Sequence, residues 1–156
     1  MDHPPSVYQK TKTFPAAFRE LVKVSNFVDR AAKIAGFPAS IRYAIQMAVD
    51  EACSNIIEHS YEGEGQGDII CTCTVFNDRL AIELVDFGQP FDPSRVPTPD
   101  VNTALEQRKR GGLGLFFINK LMDHIEFQFI PSNDPDVSER TGKNTLTMVK
   151  LKDVQS

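Results

Sequence analysis

Glu51, Asn55 and Glu58 stand at i, i+4 and i+7 within the run Met47-Ala48-Val49-Asp50-Glu51-Ala52-Cys53-Ser54-Asn55-Ile56-Ile57-Glu58-His59. On a helix this spacing stacks the three on one face. A carboxylate one turn from a carboxamide can do two jobs. The amide oxygen can ligate a hard cation such as Mg2+, and the carboxylate can take a proton from a nucleophilic hydroxyl. Polar residues at this spacing also form ordinary solvated faces. The stretch gains meaning from what lies downstream.

Two downstream groups have matching chemistry. Asp86 closes an apolar run and is followed by Phe87-Gly88. A carboxylate there can accept a hydrogen bond from an exocyclic amine, and a glycine lets a planar ring approach the backbone. Gly111-Gly112-Leu113-Gly114 opens a helical pattern at Leu115. Glycines at a helix start bend the chain tightly and turn N–H groups toward anionic phosphate. Arg108, Lys109 and Arg110 directly precede it and can add positive charge.

The elements that must position these groups follow from periodicity. Residues 1–7 are Pro-rich and read as a loose terminus, and Tyr8 to Phe14 as an edge strand. Pro15 sits where a helix can begin; Phe18, Leu21, Val22, Val24, Ser25, Val28, Ala31, Ala32 and Ala35 carry a helical pattern that Gly36 ends. Ser40 is placed to cap a second helix whose apolar stripe is Ile45, Ala48, Val49, Ala52 and Ile56, running to about Tyr61. Strands are expected at Ile69 to Phe76 and Leu80 to Val85, joined at Asn77-Asp78, and again at Ile125 to Ile130 and Thr145 to Leu151. Between them, residues 89–110 contain Pro90, Pro93, Pro97 and Pro99 and read as a lid, with a helical turn near Val101 to Gln107. A helix from Leu115 to Met122 follows it. The order predicts one α/β domain over residues 1–156, a two-layer sandwich with a mixed sheet and helices on one face. No GxxxxGK[ST] run and no alternating βαβ pattern is present, which disfavours the P-loop and Rossmann folds.

Composition narrows the function. A net charge of −4 and the short basic run at Arg108-Lys109-Arg110 argue against a nucleic-acid interface. Cys53, Cys71 and Cys73 form no even-numbered framework, and His3, His59 and His124 supply no zinc-ligand pattern, so the cysteines are expected to be buried packing groups. No apolar run is long enough for a membrane helix, and a cytoplasmic protein without membrane contact is expected.

Taken together, the ordered groups resemble the GHKL (Bergerat-fold) ATPase superfamily of gyrase, Hsp90, histidine kinases and MutL. Glu51-x-x-x-Asn55 is similar to its N box, Asp86-x-Gly88 to its adenine box, and Arg110-Gly111-Gly112-Leu113-Gly114-Leu115 to its glycine-rich lid hinge. Asn144-Thr145-Leu146-Thr147 is similar to the strand whose threonine helps hold adenine. The phrase Val49-Asp50-Glu51-Ala52-x-Ser54-Asn55-Ile56-x-x-His59 resembles the anti-sigma-factor serine/threonine kinases more narrowly. The resemblance implies ATP and Mg2+ as cofactors, with Asn55 on the metal and Glu51 as general base toward a protein hydroxyl. It implies Asp86 and Gly88 at the adenine, with Thr145 favoured over Thr147 beside it. Gly111, Gly112, Leu113, Gly114 and Leu115 would lie around the phosphates, and Arg110 would neutralise transferred charge. As partners it implies an anti-sigma-factor antagonist protein, a sigma factor and a second copy of the chain. Two departures stand out. Gln89-Pro90 follows Gly88 where a further glycine is common, and no phosphoacceptor-histidine helix pair lies upstream. The competing reading is a nucleotide-responsive binding module without useful phosphotransfer.

Overall fold

The computed structural model describes residues 5–92, 118–138 and 141–152. A five-stranded sheet forms one layer: β1 (Ser6–Pro15), β2 (Asp68–Phe76), β3 (Arg79–Asp86), β4 (His124–Pro131) and β5 (Gly142–Leu151). Their order across the sheet is β1-β2-β3-β5-β4. Every pairing is antiparallel, so the mixed sheet expected from the element order is corrected to an antiparallel one. Hairpins join β2 to β3 and β4 to β5, and a hairpin can pair its strands only in this sense.

Helices α1 (Leu21–Ala35) and α2 (Ala39–Asn55) make the second layer. Leu21, Val24, Val28, Ala31, Ala32 and Ala35 are the buried stripe of α1, which packs on α2, β2 and β3. Gly36 ends it at φ 91°, a left-handed conformation that glycine adopts without cost, and the Phe37 N–H returns to the Ala32 carbonyl at 3.2 Å. Ile45, Val49 and Ile57 meet Ile69, Leu80, Ile82, Leu84 and Met148 in one core. Burying such side chains contributes on the order of 2 kcal/mol each.

The cysteines belong to that core as expected. Cys71 and Cys73 share a strand face with sulfurs 4.0 Å apart, and all three thiols are buried and free. The Cys73 thiol and burial push Cys71 well above the ordinary thiol range, and burial pushes Cys53 up. All three are buried packing groups.

Three local expectations change. Pro15 ends β1 opposite Asp68 rather than starting a helix; lacking an N–H, it is tolerated on an edge strand. A short 3-10 turn, Phe18–Glu20, leads into α1 instead. Ser40 lies inside α2, whose N-cap is Pro38 with no side-chain cap bond. At the terminus, Ser6 and Val7 already belong to β1. Of the expected third helix, residues 118–121 are helical and its start lies outside the described residues. The lid from residue 93 onward, with its helical turn, also lies outside them.

Candidate functional site

Asp86 owes its place to strand alternation. Leu80, Ile82 and Leu84 face the core, so Asp86 at the end of β3 faces it too and is 2% exposed. The β3–β5 register sets it opposite Asn144. The Asn144 Nδ2 donates to Asp86 Oδ1 at 3.0 Å and to the Gln89 carbonyl at 2.8 Å. Its Oδ1 accepts from the Phe91 N–H at 2.9 Å. Oδ1 of Asp86 also accepts from the Gly88 N–H at 3.0 Å. Burial raises the Asp86 carboxyl above its ordinary range, and the donors Asn144 and Gly88 oppose that rise.

Asn55 is treated differently. It sits in the last turn of α2, 4% exposed, and among the described residues neither its Oδ1 nor its Nδ2 has a hydrogen-bond partner. Most buried polar side-chain atoms are satisfied, so an amide orphaned at both ends calls for an explanation. The helix then widens into a π turn, Ile56–Ser60, with the Tyr61 N–H on the Ile56 carbonyl at 3.0 Å. Such bulges recur at functional sites.

The π turn brings the helix end against the chain leaving β3. The Gln89 N–H reaches the Ser60 carbonyl at 2.9 Å, and Gln89 Nε2 reaches the His59 carbonyl at 2.9 Å. A Cβ on Gly88 would stand 2.4 Å from the Ser60 carbonyl oxygen. Glycine is therefore required there by backbone packing as well. The Tyr61 hydroxyl staples the same corner, donating to the Asp68 carbonyl at 2.7 Å and accepting from the Phe87 N–H at 2.9 Å.

Asn55, Ile56, Asp86, Asn144 and Phe91 line one cavity. Its free space is about 20 Å³. That is room for a water, not a purine. Phe91 is part of the lining, and its ring lies 5.5 Å from that of Phe127 and 6.1 Å from that of His59. Thr145 borders this cavity as well. Asn144, Leu146 and Met148 are the core-facing residues of β5, while Thr145 and Thr147 are half-buried between them. Glu51 is half-buried one turn before Asn55. The predicted residues Arg110, Gly111, Gly112, Leu113, Gly114 and Leu115 lie outside the described residues.

The donor set suits a magnesium–nucleotide complex. The unpaired Asn55 Oδ1 is a hard oxygen that could ligate such an ion. No cluster of three His, Cys, Asp or Glu side chains stands ready to cage a metal among the described residues. Mg2+ commonly takes one or two protein oxygens and completes its shell with phosphates and water. Sequence reasoning missed Asn144, Phe91 and Tyr61. The signal for Asn144 was a polar residue in phase with Leu146 and Met148.

Comparison with known proteins agrees with this geometry. The family described as histidine kinase-like ATPase domain matches residues 14–150. The serine-protein kinase RsbW of Bacillus cereus is 40% identical over 86 residues, 53% of this chain and 53% of the relative. That of Listeria monocytogenes is 32% identical over 99 residues, covering 61% and 63%. That of Halalkalibacterium halodurans is 32% identical over 130 residues, covering 81% of this chain and 78% of the relative. The match thus spans about half the length of the Bacillus cereus relative. No helix among the described residues is long and apolar enough to cross a membrane.

Proposed function

The chain belongs to the histidine kinase-like ATPase domain family, among the anti-sigma-factor serine-protein kinases, and from that premise we propose that it is an ATP-dependent serine/threonine protein kinase. The observation that carries the reading is the pairing, in one cavity, of an acceptor-only carboxylate with an unpartnered buried carboxamide. Two donors already occupy Oδ1 of Asp86, which leaves its second oxygen to accept from the exocyclic amine of adenine. Guanine would offer a carbonyl there and be repelled.

Asn55 would hold Mg2+, which when bound would supply positive charge to the phosphates. Glu51 takes the proton from a serine or threonine hydroxyl while that oxygen bonds to the γ-phosphorus and ADP departs. Arg110 and the hinge Gly111 to Leu115 hold the phosphates, and Thr145 lies beside the base. The phosphorylated protein is an anti-sigma-factor antagonist, and the kinase, as a homodimer, also sequesters a sigma factor. This partner assignment is supported by the kinship with RsbW kinases.

Transfer of labelled γ-phosphate to a candidate antagonist tests the reading. Glu51→Ala is expected to slow transfer by about 10²–10⁴-fold while ATP affinity stays within a few-fold. Partner binding that survives in full while the wild type transfers no phosphate would favour the binding-module reading instead.

A further inference from the structure

A second residue on the wall of the Asp86 cavity carries an idle polar atom. Ser60 lines that cavity and is 3% exposed, and its hydroxyl has no hydrogen-bond partner among the described residues. A buried hydroxyl costs free energy unless something bonds to it. Alanine would fill nearly the same space without that cost, and the fold itself makes no use of the oxygen.

The π turn explains how Ser60 comes to face the cavity. On a regular α-helix a residue five positions on lies about 140° around the axis, so Ser60 would turn away from Asn55. In the π turn residues five apart bond to each other, as the Tyr61 N–H does to the Ile56 carbonyl at 3.0 Å. That winding brings Ser60 round to the wall that Asn55 lines. The Ser60 carbonyl then accepts from the Gln89 N–H at 2.9 Å, and a Cβ on Gly88 would stand 2.8 Å from the Ser60 Cβ. Ser60 is thus fixed against the corner whose Gly88 N–H holds Asp86 Oδ1. Burial raises the Asp86 carboxyl; the Ser60 hydroxyl is close enough to oppose that rise, yet short of hydrogen-bond geometry.

We propose that Ser60 is a second reader of the base, its hydroxyl donating to ring nitrogen N1 of adenine while Asp86 accepts from the neighbouring exocyclic amine. This role rests on adenine binding in that cavity. The edge of adenine that carries the amine offers a donor and, beside it, an acceptor. An ionised carboxylate only accepts, so Asp86 serves the amine and leaves N1 unanswered. The Ser60 hydroxyl is a donor that rotates to suit its partner, and it stands next to the carboxylate. Asn55 lies five residues earlier on the helix and in the same reading faces the metal. Pairing N1 with a buried hydroxyl that is otherwise unpaired makes the site sensitive to loss of either atom.

The test is calorimetry on the full chain, wild type and Ser60→Ala, with Mg2+ and either ATP or its 1-deaza analogue, in which C–H replaces N1. Wild type should bind ATP on the order of tenfold more tightly than the analogue. Ser60→Ala should lose about that factor for ATP and stay within about twofold for the analogue, so that the two ligands become nearly equal. Thermal melts should show the variant no less stable, because only an unpartnered hydroxyl is removed. A similar loss for both ligands, no loss for either, or a marked drop in stability would overturn the assignment while the ATP site stands. A wild type that binds neither ligand would overturn the adenine reading and the role of Ser60 with it.

Discussion

Two carboxamides wall the same cavity and are held in opposite ways. Asn144 donates twice and accepts once, joining β3, β5 and the chain that follows Gly88. Asn55, at similar depth, has no partner among the described residues. A satisfied buried amide is a lock that folding has already closed. An unsatisfied one costs about 1–3 kcal/mol and persists when a ligand is to complete it. The same residue type therefore serves stability at one wall and binding at the other.

Breaking the lock should give the larger effect. Asn144→Ala leaves the Gln89 carbonyl and the Phe91 N–H without their side-chain partner and removes a donor from Asp86. The expected loss is about 3 kcal/mol of unfolding free energy, read by urea denaturation. A loss well under 1 kcal/mol would make the network incidental.

Asp86 sharpens the contrast through pH. Burial raises its folded pKa, so the native state keeps this proton to higher pH than the unfolded chain does. The group's stabilising contribution is complete below the ordinary carboxylate value and is lost as pH rises through the raised one. ATP binding needs the carboxylate, so affinity should climb across the window in which stability falls. Paired calorimetric and melting titrations on wild type and Asp86→Asn isolate this group. In the variant both slopes should flatten, and ATP affinity should fall on the order of a hundredfold.

The local half of this site was legible in the chain and the non-local half was not. Asp86 could be found because it closes an apolar strand, and Asn55 because it follows Glu51 by one helical turn on a face of its own. Asn144 was passed over for Thr145, since its meaning comes from a register that joins residues 58 apart. Phe91 was submerged in a Pro-rich run read as lid, yet its backbone is tied to Asn144 and its ring to Phe127. The glycine at 88 was anticipated for ring approach, whereas the π turn that crowds it has no local sequence signature. Ser40 shows the converse case: a good capping residue lost its role because the helix starts two residues earlier, with Pro38 at the N-cap.

The central claim is that Asn55 is held unpaired for a ligand. Calorimetry of ATP binding with and without Mg2+, on wild type and Asn55→Leu, tests it most directly when run beside thermal melts. Mg2+-dependent binding in the wild type should vanish in the near-isosteric variant, whose stability should hold or rise by up to about 2 kcal/mol as the orphaned amide is removed. Undiminished Mg2+-dependent binding in Asn55→Leu, or a marked loss of stability, would contradict the account.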